Sequence, residues 1–136
     1  MILIDAGPII ALLDRHDNHH HECVEASKAL AAEPLLTTWP CFTEAMYLLG
    51  AVGGYRFQIE LWKFIEEQQL TLHDLTAIEI ARMRELMEKY QDTPMDLADA
   101  SIVTVAESHS IRDVFTLDSD FRIYRLADGS NLNIIP

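Results

Sequence analysis

Five acidic residues stand apart from the other charges of this sequence: Asp5, Glu44, Asp96, Asp99 and Asp118. Asp5 is the only charged side chain between Met1 and Asp14. Glu44 is the only one from Pro34 to Tyr55, and Asp96 and Asp99 are the only ones from Thr93 to Ala106. Asp118 follows Val114-Phe115-Thr116-Leu117. The first four have no Lys or Arg three or four residues away, the spacing at which a helical ion pair would account for them. Carboxylates in apolar surroundings are costly to ionise unless something positive neutralises them. If these segments converge, that partner is a cation. An all-oxygen donor set without Cys or His selects Mg²⁺ or Mn²⁺ over Zn²⁺. Such a site suits in-line hydrolysis of a phosphodiester, because the metal lowers the pKa of the attacking water, orients the phosphate and stabilises the leaving oxygen.

Each acid also has a plainer reading. Asp96 near a helix start can close a capping box. Asp118 and Asp120 lie two apart in a loop after a strand, where Asp is common in turns. Asp99 has no such account: one turn beyond Asp96, it repels that carboxylate unless a cation lies between them or one is protonated. The order and isolation of the set say more than any member alone.

The elements that must position these residues follow from the apolar pattern. Met1-Ile2-Leu3-Ile4 runs straight into Asp5, as in a parallel strand buried on both faces, so Asp5 falls at a strand's carboxyl end, where open α/β sheets place ligands. Gly7 and Pro8 end the strand, and Ile9–Leu13 reads as a helix with Pro8 at its first turn. His19, His20 and His21 would project about 100° apart on a helix and cannot converge on one ion; they read as the hydrophilic start of a helix carrying Cys23, Ala26 and Leu30. Leu35–Thr38 is a second strand. Pro40 opens a helix through Leu49 that is apolar nearly all round, which predicts a buried helix with Glu44 buried or facing a cleft. Gly50 and Gly53-Gly54 end it. Phe57–Glu67 is amphipathic, and Leu70–Leu72 is a short strand. Thr76 and Glu79 form a capping-box pattern at the head of a helix carrying Ile80, Met83, Met87 and Tyr90, which reads as packing. Thr93 reads as the next N-cap, with Pro94 first and Asp96 third in the helix. A short strand that starts at Asp113 and ends in the acid Asp118, and a last strand at Leu132–Ile135, complete the chain.

At 136 residues, with 49% hydrophobic and 24% charged residues, the chain is predicted to be a single folded domain over residues 1–136 rather than a disordered one. No apolar run approaches a membrane span. The apolar start is broken at Asp5 and has no basic residue before it, unlike a secretory signal. Cys23 and Cys41 form no metal motif and read as free thiols in a reducing cytosol, so a cytoplasmic protein is expected. The net charge of −12, from 22 acids and 10 bases, is a poor footprint for recognition of nucleic acid by broad electrostatics, which calls for a basic face. A polyanionic substrate would have to be met by metal ions and a few arginines, with Arg15, Arg56, Arg122 and Arg125 as candidates. The same charge suits a basic protein partner.

Ile4-Asp5-Ala6-Gly7-Pro8, Thr43-Glu44-Ala45, Asp96-Leu97-Ala98-Asp99-Ala100 and Thr116-Leu117-Asp118-Ser119-Asp120-Phe121 together resemble the PIN domain family, most of all its VapC-like toxin nucleases of bacterial and archaeal toxin–antitoxin pairs. The resemblance covers essentially the whole chain. It implies a three-layer α/β/α sandwich with a short central parallel sheet and a Mg²⁺- or Mn²⁺-dependent endoribonuclease. By position, it makes Asp5, Glu44, Asp99 and Asp118 the metal-binding acids, Asp96 a further or alternative ligand and Asp120 a supporting acid. Thr116 would bond a ligand water or the scissile phosphate. It also implies an RNA substrate, a homodimer, and an antitoxin with a segment in a groove near the site. A catalytically silent binding module on the same fold is the other reading. A phosphoryl-accepting receiver would need an acid pair after the first strand and a late lysine, yet no Lys follows Lys89. An aspartyl phosphatase would need an acid where Gly7 stands.

Overall fold

The pleat of the first strand divides the molecule into layers. β1 (Ile2–Ile4) turns Ile2 and Ile4 to one face and Leu3 to the other, as a period of two requires, and each face has its own hydrophobic core. The computed structural model describes residues 1–136. Four further strands lie parallel to β1: β2 (Leu35–Thr38), β3 (Leu70–His73), β4 (Asp113–Phe115) and β5 (Asn133–Ile135), in the order β3-β2-β1-β4-β5. The core on the Ile2/Ile4 face takes in α1 (Ala6–Leu13), α2 (His20–Ala29), α3 (Trp39–Gly53) and α4 (Tyr55–Glu66). The Leu3 face packs against α5 (Ala77–Lys89) and α6 (Leu97–His109). This is the expected α/β/α sandwich around a short parallel sheet.

The topology decides where a ligand can sit. The chain leaves β1 toward β2 and β3 on one side and returns to β4 and β5 on the other. The strand order therefore reverses at β1, and the crevice at such a switch point is where open α/β sheets bind ligands. Asp5 follows β1 and Asp118 lies just beyond β4, its hydrogen-bonded neighbour. α6 crosses the opposite face with Ala98 to Ala106 all buried, which holds its N-terminus at the same sheet edge.

Several expectations change. α1 begins at Ala6, with Pro8 third, because the Asp5 side chain itself accepts from the Ala6 N–H and starts the helix. α3 runs through Gly50 to Gly53. Gly54, at φ +70°, makes the turn into α4, a backbone state that suits glycine. A Cβ on Gly53 would stand 2.4 Å from the Phe57 ring, so the glycine serves the close approach of α3 and α4. α3 is not buried all round: Tyr47 is 75% and Val52 61% exposed. Thr93 is not an N-cap. The Tyr90 carbonyl accepts from both Thr93 and Met95, closing a turn after α5, and α6 starts three residues later than its Pro94 start was predicted, at Leu97. The Thr76/Glu79 capping box forms as predicted, but Ile80 faces outward.

Candidate active site

Asp5, Glu44, Asp96, Asp99 and Asp118 line one cleft of about 310 Å³, together with Ala6, Gly7 and Ile10. None of the five takes part in an ion pair. Three of them cap helices. Asp5 accepts from Ala6 N at 2.8 Å, Asp96 from Asp99 N at 2.8 Å, and Asp118 from Asp120 N at 2.9 Å. The starts of α1 and α6 and of the single 3₁₀ turn Ser119–Arg122 thus lie at one place, where the two α-helices bring positive dipole ends to the negative side chains.

The individual acids differ in how they are held. Asp5 is 8% exposed; beyond the Ala6 amide, it accepts from Thr116 Oγ1 at 3.0 Å and from the Cys41 thiol at 3.5 Å. Burial raises its pKa despite these donors, and the charge on Asp96 adds to the rise. Asp99 is buried and accepts from Tyr124 Oη at 2.8 Å. Burial pushes its pKa up to about 7; the Tyr124 hydrogen bond opposes the rise, and the charges on Asp96, Asp5 and Asp118 add to it. Glu44 reaches in from an exposed turn of α3. Its pKa is raised by partial burial and then by Asp5, Asp96 and Asp118. Asp96 is both the helix cap and a wall of the cleft. Its second oxygen, like that of Asp118, has no protein partner.

Thr116 lies beneath the acids. Its hydroxyl donates to Asp5 and accepts from Asp118 N at 3.1 Å, and the residue is 2% exposed. It therefore ties the ends of β1 and β4 together instead of facing a water or phosphate. Asp120 does not line the cleft; its N–H donates to the Asp118 side chain. Arg125 donates through Nη1 to the carbonyls of Arg122, Ile123 and Tyr124, which closes the turn after Phe121. Arg15, Arg56 and Arg122 are exposed. Tyr124 and Cys41 were not legible as site residues, since neither carries a charge or a distinctive spacing.

The donor set fits a hard divalent cation. Five carboxylates share one small cleft without a basic counterpart, and the raised pKa values of Asp5, Glu44 and Asp99 mark an excess of negative charge that a cation would relieve.

The sequence profile of the PIN domain matches residues 2–126. Ribonuclease VapC26 of Mycobacterium tuberculosis is 26% identical over 139 residues, covering 99% of this chain and all of that protein. Among solved structures, the sarcin–ricin loop cleaving toxin VapC20 of Mycobacterium tuberculosis superposes with a TM-score of 0.77 at 20% identity, over 88% of this chain and 92% of that one. VapBC2 of Rickettsia felis, bound to a promoter DNA fragment, gives 0.73 at 15% identity over the whole of both chains.

Proposed function

The chain belongs to the PIN domain family, and from that membership we propose that it is a toxin-type endoribonuclease that hydrolyses RNA phosphodiester bonds with Mg²⁺ or Mn²⁺. The observation that carries this reading is the convergence of Asp5, Glu44, Asp96, Asp99 and Asp118 on one cleft with no basic partner. These five residues would hold the cation. When bound, it supplies a water of lowered pKa and neutralises charge at the phosphate. The protein's own part is positional. Asp5 is fixed by Ala6, Thr116 and Cys41, and Asp99 by Tyr124. Asp96 and Asp118 each use one oxygen on a backbone N–H and offer the other. Glu44, without a protein hydrogen bond, adjusts to what enters.

The same reading supplies partners. Beside the acids, an open groove of about 800 Å³ is lined by Trp39, Tyr47, Leu75, Ile80 and Leu97, with Glu44 and Asp96 at its margin. An inhibitory antitoxin segment, apolar with a basic residue toward the acids, suits this surface and the charge of −12. A homodimer and a cytoplasmic location belong to the same reading. No helix is long and apolar enough to cross a membrane.

The test is cleavage of end-labelled RNA by metal-stripped protein, with and without added Mn²⁺. Attack by water that expels the 3′ oxygen leaves a 3′-hydroxyl and a 5′-phosphate, and these ends should form only with metal present. Products ending in a 2′,3′-cyclic phosphate, or equal cleavage with chelator, would overturn the reading.

A further inference from the structure

We propose that His73, Glu79 and His109 form a second cation site, separate from the carboxylate cleft and selective for a transition ion of the Zn²⁺ type. The three residues come from the end of β3, the first turn of α5 and the last residue of α6. One ligand atom from each lies within 4.8 Å of the others. His73 Nε2 stands 2.9 and 3.1 Å from the two oxygens of Glu79, and His109 Nε2 stands 3.7 Å from Glu79 Oε2. The two rings meet edge to face at 4.7 Å.

An ordinary imidazole–carboxylate pair needs only His73. The position of His109 is what points to an ion: its Nε2 faces the same carboxylate from too far for a hydrogen bond, at a distance a shared metal would bridge. Glu79 is 5% exposed and held from behind, by Thr76 N on Oε1 at 2.9 Å and Ser108 Oγ on Oε2 at 2.7 Å. Donors of this kind orient a ligating carboxylate. Those hydrogen bonds, with His73, hold its pKa at about 2 although burial opposes them, so it is ionised at any working pH. His109, with its side chain 46% exposed, leaves an approach from solvent.

Two imidazoles and one carboxylate favour Zn²⁺, Co²⁺ or Ni²⁺, whereas the all-oxygen cleft favours Mg²⁺ or Mn²⁺. Asp99 and His109 are ten residues apart on α6, roughly 15 Å at the helical rise, so the two sites do not share a ligand. A Zn²⁺ ion here would tie the edge strand β3 to both helices of the Leu3 face.

The experiment uses untagged full-length protein, stripped of metal and then held in excess Mg²⁺ to occupy the cleft. Zn²⁺ uptake is measured by competition with a chromophoric chelator, and the melting temperature is followed with and without Zn²⁺. Wild type and Asp5→Asn should each take up one equivalent with a rise in melting temperature. His109→Ala, at an exposed position, should melt as wild type without Zn²⁺ yet bind it at least about tenfold more weakly, and His73→Ala with His109→Ala should abolish the shift. Equal uptake by wild type and His109→Ala would overturn the proposal. So would loss of uptake in Asp5→Asn, which would place the ion in the cleft, or no uptake by wild type.

Discussion

Tyr124 Oη donates a 2.8 Å hydrogen bond to Asp99 Oδ2, joining a fully buried phenol to an acid of the cleft whose pKa burial raises to about 7. The ring is wedged against Tyr90 and Phe121, so the donor has little freedom. Tyr124→Phe keeps that packing and removes only the donor. The expected result is a loss of about 1 kcal/mol in stability and a Mn²⁺ affinity lower by about tenfold or more, read by chemical denaturation and calorimetric titration. Unchanged Mn²⁺ affinity would show that Tyr124 does not position Asp99.

Thr116→Val tests the tie between β1 and β4. The substitution removes the donor to Asp5 and the acceptor for Asp118 N in a residue that is 2% exposed. Leaving the Asp118 amide unpaired should cost about 1–3 kcal/mol, and cleavage should fall with it. Wild-type stability in urea denaturation would contradict the role assigned to this hydroxyl.

Asp96 carries two roles that substitution separates. Asn keeps an oxygen for the Asp99 N–H, so Asp96→Asn should leave stability nearly unchanged while weakening metal-dependent cleavage. Asp96→Ala removes the cap as well and should lose about 1 kcal/mol more. Full cleavage by Asp96→Asn would leave this residue as a cap alone.

The pH dependence of the cation-free protein follows from Asp99. Its folded pKa, near 7, lies above the ordinary 3.8, so folding binds a proton. The stabilising contribution is full below about pH 4 and is lost as pH rises through 7. Between pH 5 and 8 the melting temperature of wild type should therefore fall relative to Asp99→Asn, which is neutral throughout, and Mn²⁺ should remove the difference. Parallel curves for the two proteins without metal would contradict the perturbed state of Asp99.

Much of this was legible in the chain because strong local signals and tertiary demands agree. Ile2-Leu3-Ile4 before Asp5 reads as a buried parallel strand, and the Thr76/Glu79 box starts its helix where the pattern requires. The acids were legible through their isolation from bases. What escaped depended on neighbours distant in sequence. Asp5 as a helix cap, Thr116 as a tie across strands and Tyr124 as a buried donor are defined by contacts that no spacing encodes. The exposed face of α3 misleads for a related reason: Tyr47 and Val52 look like core residues until the sheet is seen to need only the other side of the helix. The Pro94 signal for a helix start failed because the local turn after α5 claimed those residues first.

The most direct test is a Mn²⁺ titration of the purified protein, following melting temperature and cleavage of a mixed-sequence RNA together, beside Asp5→Asn. The account expects Mn²⁺ to stabilise wild type and switch on cleavage over the same concentration range. Asp5→Asn should fold at least as stably without metal, since repulsion falls, but show neither response. Metal-independent cleavage, or cleavage by Asp5→Asn at the wild-type rate, would contradict a nuclease built on these five carboxylates.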